Sequence, residues 1–107
     1  MIIHNATFMM PLEREADFLP WLRSRIAGMA PLCNPRVSAM REAGGIDYRH
    51  AEAQSVAFQT EFESMDAARA WSASAFADLA SAFDEEYGPQ AMVFVSMFEH
   101  IPMENGK

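Results

Sequence analysis

Two histidines, His4 and His100, stand near the two ends of the chain and are its best-placed pair for chemistry. An imidazole changes charge near neutral pH and ligates transition metals, so two of them joined by a carboxylate could hold a metal ion or pass a proton. That requires the first and last strands to run antiparallel, with the start of one beside the end of the other. Both residues are even-numbered and are therefore assigned to one face of a sheet, side by side at its edge. The plainer role for such a pair is to cap the edge of a core while partly exposed, and no metal ligand set is assigned. A second constellation is polar: Asn5, Thr7, Gln59, Glu61 and Glu99. A few such groups on an apolar wall can orient a small ligand, or they can serve only as cross-strand hydrogen bonds. These seven residues are the candidate ligand-binding set. His4 with Asn5 is the one pairing that could start an acid/base site, and no pair of carboxyl groups with separated environments stands out. The chain has no Gly-rich phosphate loop, nucleophile elbow, HExxH or CxxC. No cofactor is implied. Cys33, between Pro31 and Pro35, reads as a small buried apolar residue rather than a nucleophile or redox sensor. The run Asp84, Glu85, Glu86 reads as a solvated helix face.

The elements that must position these residues follow from periodicity. Ile2 to Met10 alternates and is rich in β-formers, a strand ended by Pro11. From Leu12 to about Met29 the period becomes helical, with Phe18, Trp21, Leu22, Ile26 and Met29 on one face. Pro20 removes a backbone donor. The spacing predicts that Asp17 caps the regular helix and leaves Pro20 in its first turn, the alternative being a helix from Glu13 with a kink. Ala30 to Pro35 is a loop, Arg36 to Ala43 a strand, and Gly44-Gly45 opens a polar turn region through His50. Glu52 to Glu63 alternates again, with Val56, Phe58, Thr60 and Phe62 on one side. Ser64 is an N-cap and Asp66 suits the helix dipole. A single long helix then carries Trp71, Ala75, Leu79, Ala82, Phe83 and Tyr87 on its buried stripe, and Gly88-Pro89 stops it. Ala91 to Ile101 is the last strand, and residues 102–107 form a frayed tail.

The order β-α-β-β-α-β is the split β-α-β pattern of an α+β, ferredoxin-like domain spanning residues 1–101. It predicts a four-stranded antiparallel sheet of order 4-1-3-2 with two helices on one face. Strand parity then sorts side chains to the two faces. The core face collects Ile2, Ala6, Phe8, Val56, Phe58 and Phe62, with Met92, Phe94 and Phe98, to receive Phe18, Trp21, Trp71 and Phe83 from the helices. The open face collects Ile3, Met9, Val93, Val95 and Met97 among the polar residues above. A sheet face left to water should be mostly polar, and an apolar patch of this size marks association. These five residues are the expected dimer face of a homodimer made by stacking two sheets, the dimeric α/β-barrel arrangement. Nine Met residues suit adaptable packing in core and interface.

Composition narrows the partners. A chain of 107 residues is the size of one domain, and it buries roughly two-thirds of its surface on folding. Eight basic against fifteen acidic residues give a net charge of −7. Such a surface repels phosphate backbones and anionic lipid heads, so neither nucleic acid nor a membrane surface is an expected partner. A lone cysteine allows no intrachain disulfide. Met1 to Asn5 carries no basic segment before an apolar stretch, so no secretory signal is expected, and no apolar run nears the ~20 residues that span a bilayer. The cytoplasm is the expected compartment.

Several short motifs resemble a small family of uncharacterised bacterial proteins, a domain of unknown function common in gut Bacteroidetes. Its members open Met-Ile-Ile-Tyr-Asn-Val-Thr, matched by Met1 to Thr7 except that His4 stands at the Tyr position and Ala6 at the Val position. They carry a helical Trp like Trp21, a junction like Glu63-Ser64-Met65-Asp66, a helix end like Tyr87-Gly88, and a last strand like Phe94 to Glu99, with Val95 where a basic residue is common. The resemblance implies a ferredoxin-like dimeric barrel and brings no catalytic residues with it. The resulting expectation is a non-catalytic module that binds a small apolar or aromatic ligand or a protein. The alternative is a small cofactor-independent monooxygenase or isomerase, which rests on fold analogy.

Overall fold

Unbroken alternation over Ile2–Pro11 and Ala53–Phe62 produces two ten-residue strands, β1 and β5 in chain order. The even-numbered residues from Ile2 to Met10 and from Gln54 to Thr60 are buried, and the odd-numbered ones are half-exposed. The computed structural model describes residues 1–104. β2 (Cys33–Ala39), β3 (Glu42–Ala43), β4 (Ile46–Asp47) and β6 (Met92–Glu99) are the remaining strands. The main sheet is antiparallel, with the order β2-β5-β1-β6, so β1 and β5 are central and β2 and β6 are edges.

Three α-helices lie on one face of it: α1 (Glu15–Ala27), α2 (Met65–Ser72) and α3 (Ala75–Tyr87). Phe18 and Leu22 of α1 and Phe76, Leu79, Phe83 and Tyr87 of α3 close over Ala6, Phe8, Met10, Val56 and Phe58. Some of their rings meet edge-on, as with Phe8 and Phe83 at 4.9 Å, an arrangement aromatic quadrupoles favour, whereas Phe83 and Tyr87 stack at 5.1 Å. Among the described residues no helix lies on the opposite face. The molecule is only 20 Å through its thin axis, the depth of one sheet and one helix layer.

Several local expectations are corrected. Helix α1 starts at Glu15, straight after a 3₁₀ turn over Leu12–Arg14, so Asp17 does not cap it and Pro20 sits inside it. Pro20 is exposed, so its ring crowds solvent rather than the core. The second helix is not continuous. Ser74 Oγ accepts no cap bond and instead donates to the Ala70 carbonyl at 2.7 Å, a local competition that breaks the helix into α2 and α3. The strand expected over Arg36–Ala43 runs instead over Cys33–Ala39. The residues after it form a separate small hairpin, β3–β4, turned by Gly44 and Gly45 at φ 60° and 81°. Cys33 is exposed rather than buried. The last strand ends at Glu99. Pro102–Glu104 are exposed and irregular, and residues 105–107 of the expected tail lie outside the described residues.

The largest correction concerns β6. Even-numbered residues of β1 pair with even-numbered residues of β5, but with odd-numbered residues of β6: Ala6 lies opposite Phe58 on one side and Val95 on the other. Val93, Val95 and Met97 therefore lie on the helix side, not on the open face. Met92, Phe94 and Phe98, expected in the core, point away from the helices and are half-exposed. The connection sets this register. Gly88–Gln90 form a 3₁₀ turn, and Ala91 and Val93 then pack against the core.

Candidate functional site

On the open face, the central strands carry the polar constellation beside the apolar patch. Asn5 and Gln59 are directly opposite in the β1–β5 ladder, and Gln59 Nε2 donates to Asn5 Oδ1 at 3.0 Å. Asn5 Nδ2 in turn donates to Thr7 Oγ1 at 3.3 Å. Around this short chain stand Ile3 and Met9 on β1, and Met92, Phe94 and Phe98 on β6, whose cross-strand partners are Met9, Thr7 and Ile3. Glu61 is on the same face at the far end of β5, where Asn34 Nδ2 donates to it at 3.1 Å. Asn34 adopts a positive φ of 46°, a conformation Asn tolerates better than most residues, in the stretch where the β2–β5 register shifts between Cys33 and Arg36. The structure thus brings Asn5, Thr7 and Gln59 together, and holds Glu61 apart on its own partner.

The other candidates separate. Glu99 lies opposite Ile2, so it belongs to the helix side of the sheet and is exposed there, away from the polar chain. His4 and His100 do not form a pair. His4 lies opposite Met97 with its ring on the helix side, whereas His100 is exposed one residue past β6, its backbone N–H donating to the Met1 carbonyl at 2.9 Å. The assumption that two even-numbered residues share a face fails because the β1–β6 ladder joins even to odd. Among the described residues no group of three or more His, Cys, Asp or Glu gathers closely enough to hold a metal ion.

His4 is not an edge residue at all. It is 1% exposed and sits in a box of Phe62, Trp71 and Phe76, with the Trp71 ring edge-on at 4.8 Å and Phe76 at 4.9 Å. Its Nε2 lies 3.0 Å from Ser72 Oγ. Burial holds the imidazole below its ordinary pKa, opposed in part by a hydrogen bond to its own backbone. A neutral ring sealed among aromatic side chains, with its polar edge met by a hydroxyl, satisfies the core and reaches no substrate. Ser72 was not foreseen, since it joins His4 only through the packing of α2 on β1. The one signal in the chain was parity, because His4 is in phase with Ala6 and Phe8.

No known protein-family profile matches this chain, and no curated protein is similar to it. No helix among the described residues is long and apolar enough to cross a membrane.

Proposed function

We propose that the protein is a non-catalytic binding module that works as a homodimer, two copies stacking their open sheet faces in a ferredoxin-like, dimeric α/β-barrel arrangement. One observation carries this reading: Met92, Phe94 and Phe98 are each about half exposed beside Ile3 and Met9, on a face no helix covers. The occupant is a second copy because the apolar residues form a strip along β6 and the ends of β1, beside the Asn5–Gln59–Thr7 chain. A two-fold axis lying across the strands sets the apolar strip of one copy on that of the other.

In this reading the Bacteroidetes-type resemblance reflects a shared fold, and a small apolar or aromatic ligand bound between the sheets is oriented by Asn5, Thr7 and Gln59. Acidic charge keeps nucleic acid and anionic membranes away, and the compartment is the cytoplasm. The enzyme alternative loses its starting point, since His4 and Asn5 are neighbours in one strand and so face opposite sides of the sheet. Native mass spectrometry on undenatured protein tests the proposal. A mass of twice 12.0 kDa supports it, added mass identifies a ligand, and a monomer at every concentration refutes it.

A further inference from the structure

On the opposite, helix-covered side of the sheet a cleft of about 380 Å³ opens between α1 and β2, lined by Leu19, Arg23, Ile26, Pro35, Val37 and Ala39. Its origin is a mismatch of side-chain size. Phe18 and Leu22 of α1 reach the central strands, where Phe8 and Phe58 fill the layer. Leu19, Arg23 and Ile26, spaced by four and three, form the next stripe round the helix. Under that stripe the edge strand offers only Pro35, Val37 and Ala39. The two layers therefore fail to close, and Val37 stays 44% exposed although it lies opposite the buried Phe58. The volume falls within the range of small-molecule sites.

Charge selects the occupant. Arg14, Arg41, Arg49 and Arg69 each have a carboxylate within 4.0 Å, and Arg25 lies over the Trp21 ring. Among the described residues only Arg23 and Arg36 have neither kind of partner. Arg36 lies opposite Gln59 on the open face, which leaves Arg23 as the cation on the cleft. An unengaged guanidinium beside an apolar wall, in a protein of net charge −7, suits a ligand with one anionic end and an apolar body. A planar carboxylate matches the guanidinium fork. We propose that the α1–β2 cleft binds a small apolar monocarboxylate, its carboxylate on Arg23 and its hydrocarbon body over Leu19, Ile26, Val37 and Ala39. This site and the open face lie on opposite sides of the sheet, so the proposal stands independently of the dimer.

Octanoate is the probe, titrated to roughly 10 mM into ¹⁵N-labelled protein. Saturable shifts confined to the amides of Leu19, Arg23, Ile26, Val37 and Ala39 are expected. Arg23→Gln, at an exposed position, should weaken binding about tenfold, equivalent to about 1.4 kcal/mol, and octanol should bind wild type no better than octanoate binds that variant. Ala39→Leu fills the cleft and should abolish the shifts with Arg23 intact. Val37→Phe, at the exposed edge, is the second filling variant if Ala39→Leu disturbs the fold. Absent shifts, shifts centred on Phe94 and Phe98 instead, or equal affinity in Arg23→Gln would each overturn the proposal.

Discussion

Replacing Phe94 by Glu while leaving its neighbour Val95 alone, and then the reverse, separates the two faces of β6. Phe94 is 51% exposed and Val95 41%, so neither substitution opens a void in the core. Full burial of a phenylalanine is worth ~1.5–3 kcal/mol, so the half still exposed leaves ~1 kcal/mol to be gained at an interface. A two-fold dimer contains the residue twice, giving ~2 kcal/mol lost on removal, and two carboxylates forced into an apolar contact cost at least as much again. The sum, ~4 kcal/mol, is about a thousandfold in the dimer dissociation constant. Phe94→Glu is therefore expected to run as a folded monomer where wild type runs as a dimer. Val95→Glu, on the helix side opposite Ala6, should leave the dimer intact. Light scattering coupled to gel filtration, over roughly two decades of concentration, reads the mass, and circular dichroism confirms folding. If Val95→Glu dissociates the protein and Phe94→Glu does not, the β6 register is opposite to the one described. If both variants stay dimeric, the open face is not the interface.

The core makes its own predictions. Because burial lowers the folded-state pKa of His4 below its ordinary 6.5, its neutral form supports stability fully above that pH and progressively less as the pH falls below it. The urea midpoint should therefore drop between neutral and mildly acidic pH in wild type, with a shallower drop in His4→Phe; equal slopes would show that folding does not shift the His4 pKa. Gln54 is fully buried, with Oε1 accepting from the Ser55 N–H at 2.7 Å but Nε2 lacking a partner among the described residues. Gln54→Met should consequently raise stability by ~1 kcal/mol, measured by urea unfolding, since an unpaired buried donor costs ~1–3 kcal/mol. Gly88, at φ 73° and ψ −161°, occupies a region open essentially to glycine, and a Cβ there meets nothing within 4 Å among the described residues. Gly88→Ala should then cost ~1–3 kcal/mol through backbone strain alone. Ser64→Ala removes the hydroxyl that accepts the Ala67 N–H at 3.1 Å and should cost ~1 kcal/mol by the same assay.

How much of this was legible depended on how local each determinant is. Strong alternation set β1 and β5, and helical spacing found the buried Phe18, Leu22, Leu79, Phe83 and Tyr87, because periodicity follows directly from the geometry of each element. The break at Ala73–Ser74 was hidden, since a serine that bonds back to the carbonyl four residues earlier looks like any other polar helix residue. The side of the sheet to which β6 turns its aromatic residues was hidden for a different reason. Parity within a strand is fixed by its own sequence, but parity between strands depends on the connection, and a shift of one residue exchanges the faces completely. Hydrophobicity argued for putting Phe94 and Phe98 inside, and the register put Val93 and Met97 there instead. The same shift undid the His4–His100 pair and moved Glu99 off the polar face. Asn5, Thr7 and Gln59 survived because they lie on β1 and β5, whose mutual parity was read correctly.

The outward aromatic residues also distinguish between two ways for copies of this chain to meet. β6 is a long apolar edge with free backbone groups, and such edges invite pairing with another strand. The other edge is blunted by Pro35 and by the register shift between Cys33 and Arg36. Joining two β6 edges would complete backbone hydrogen bonds, yet Phe94 and Phe98 stand perpendicular to the sheet and would remain in water. The two patches would merge into one exposed face of twice the size. Stacking the faces instead removes all four rings from water and sets the Asn5–Gln59–Thr7 chains against each other across the axis. Side-chain burial scales with the apolar area withdrawn from water, while backbone groups at a solvated edge lose little by staying there, because water already bonds them. The hydrophobic term therefore favours the proposed stacked arrangement over edge pairing. Phe94→Glu tests it directly, since an edge-paired dimer would tolerate a charge on a side chain that remains in solvent.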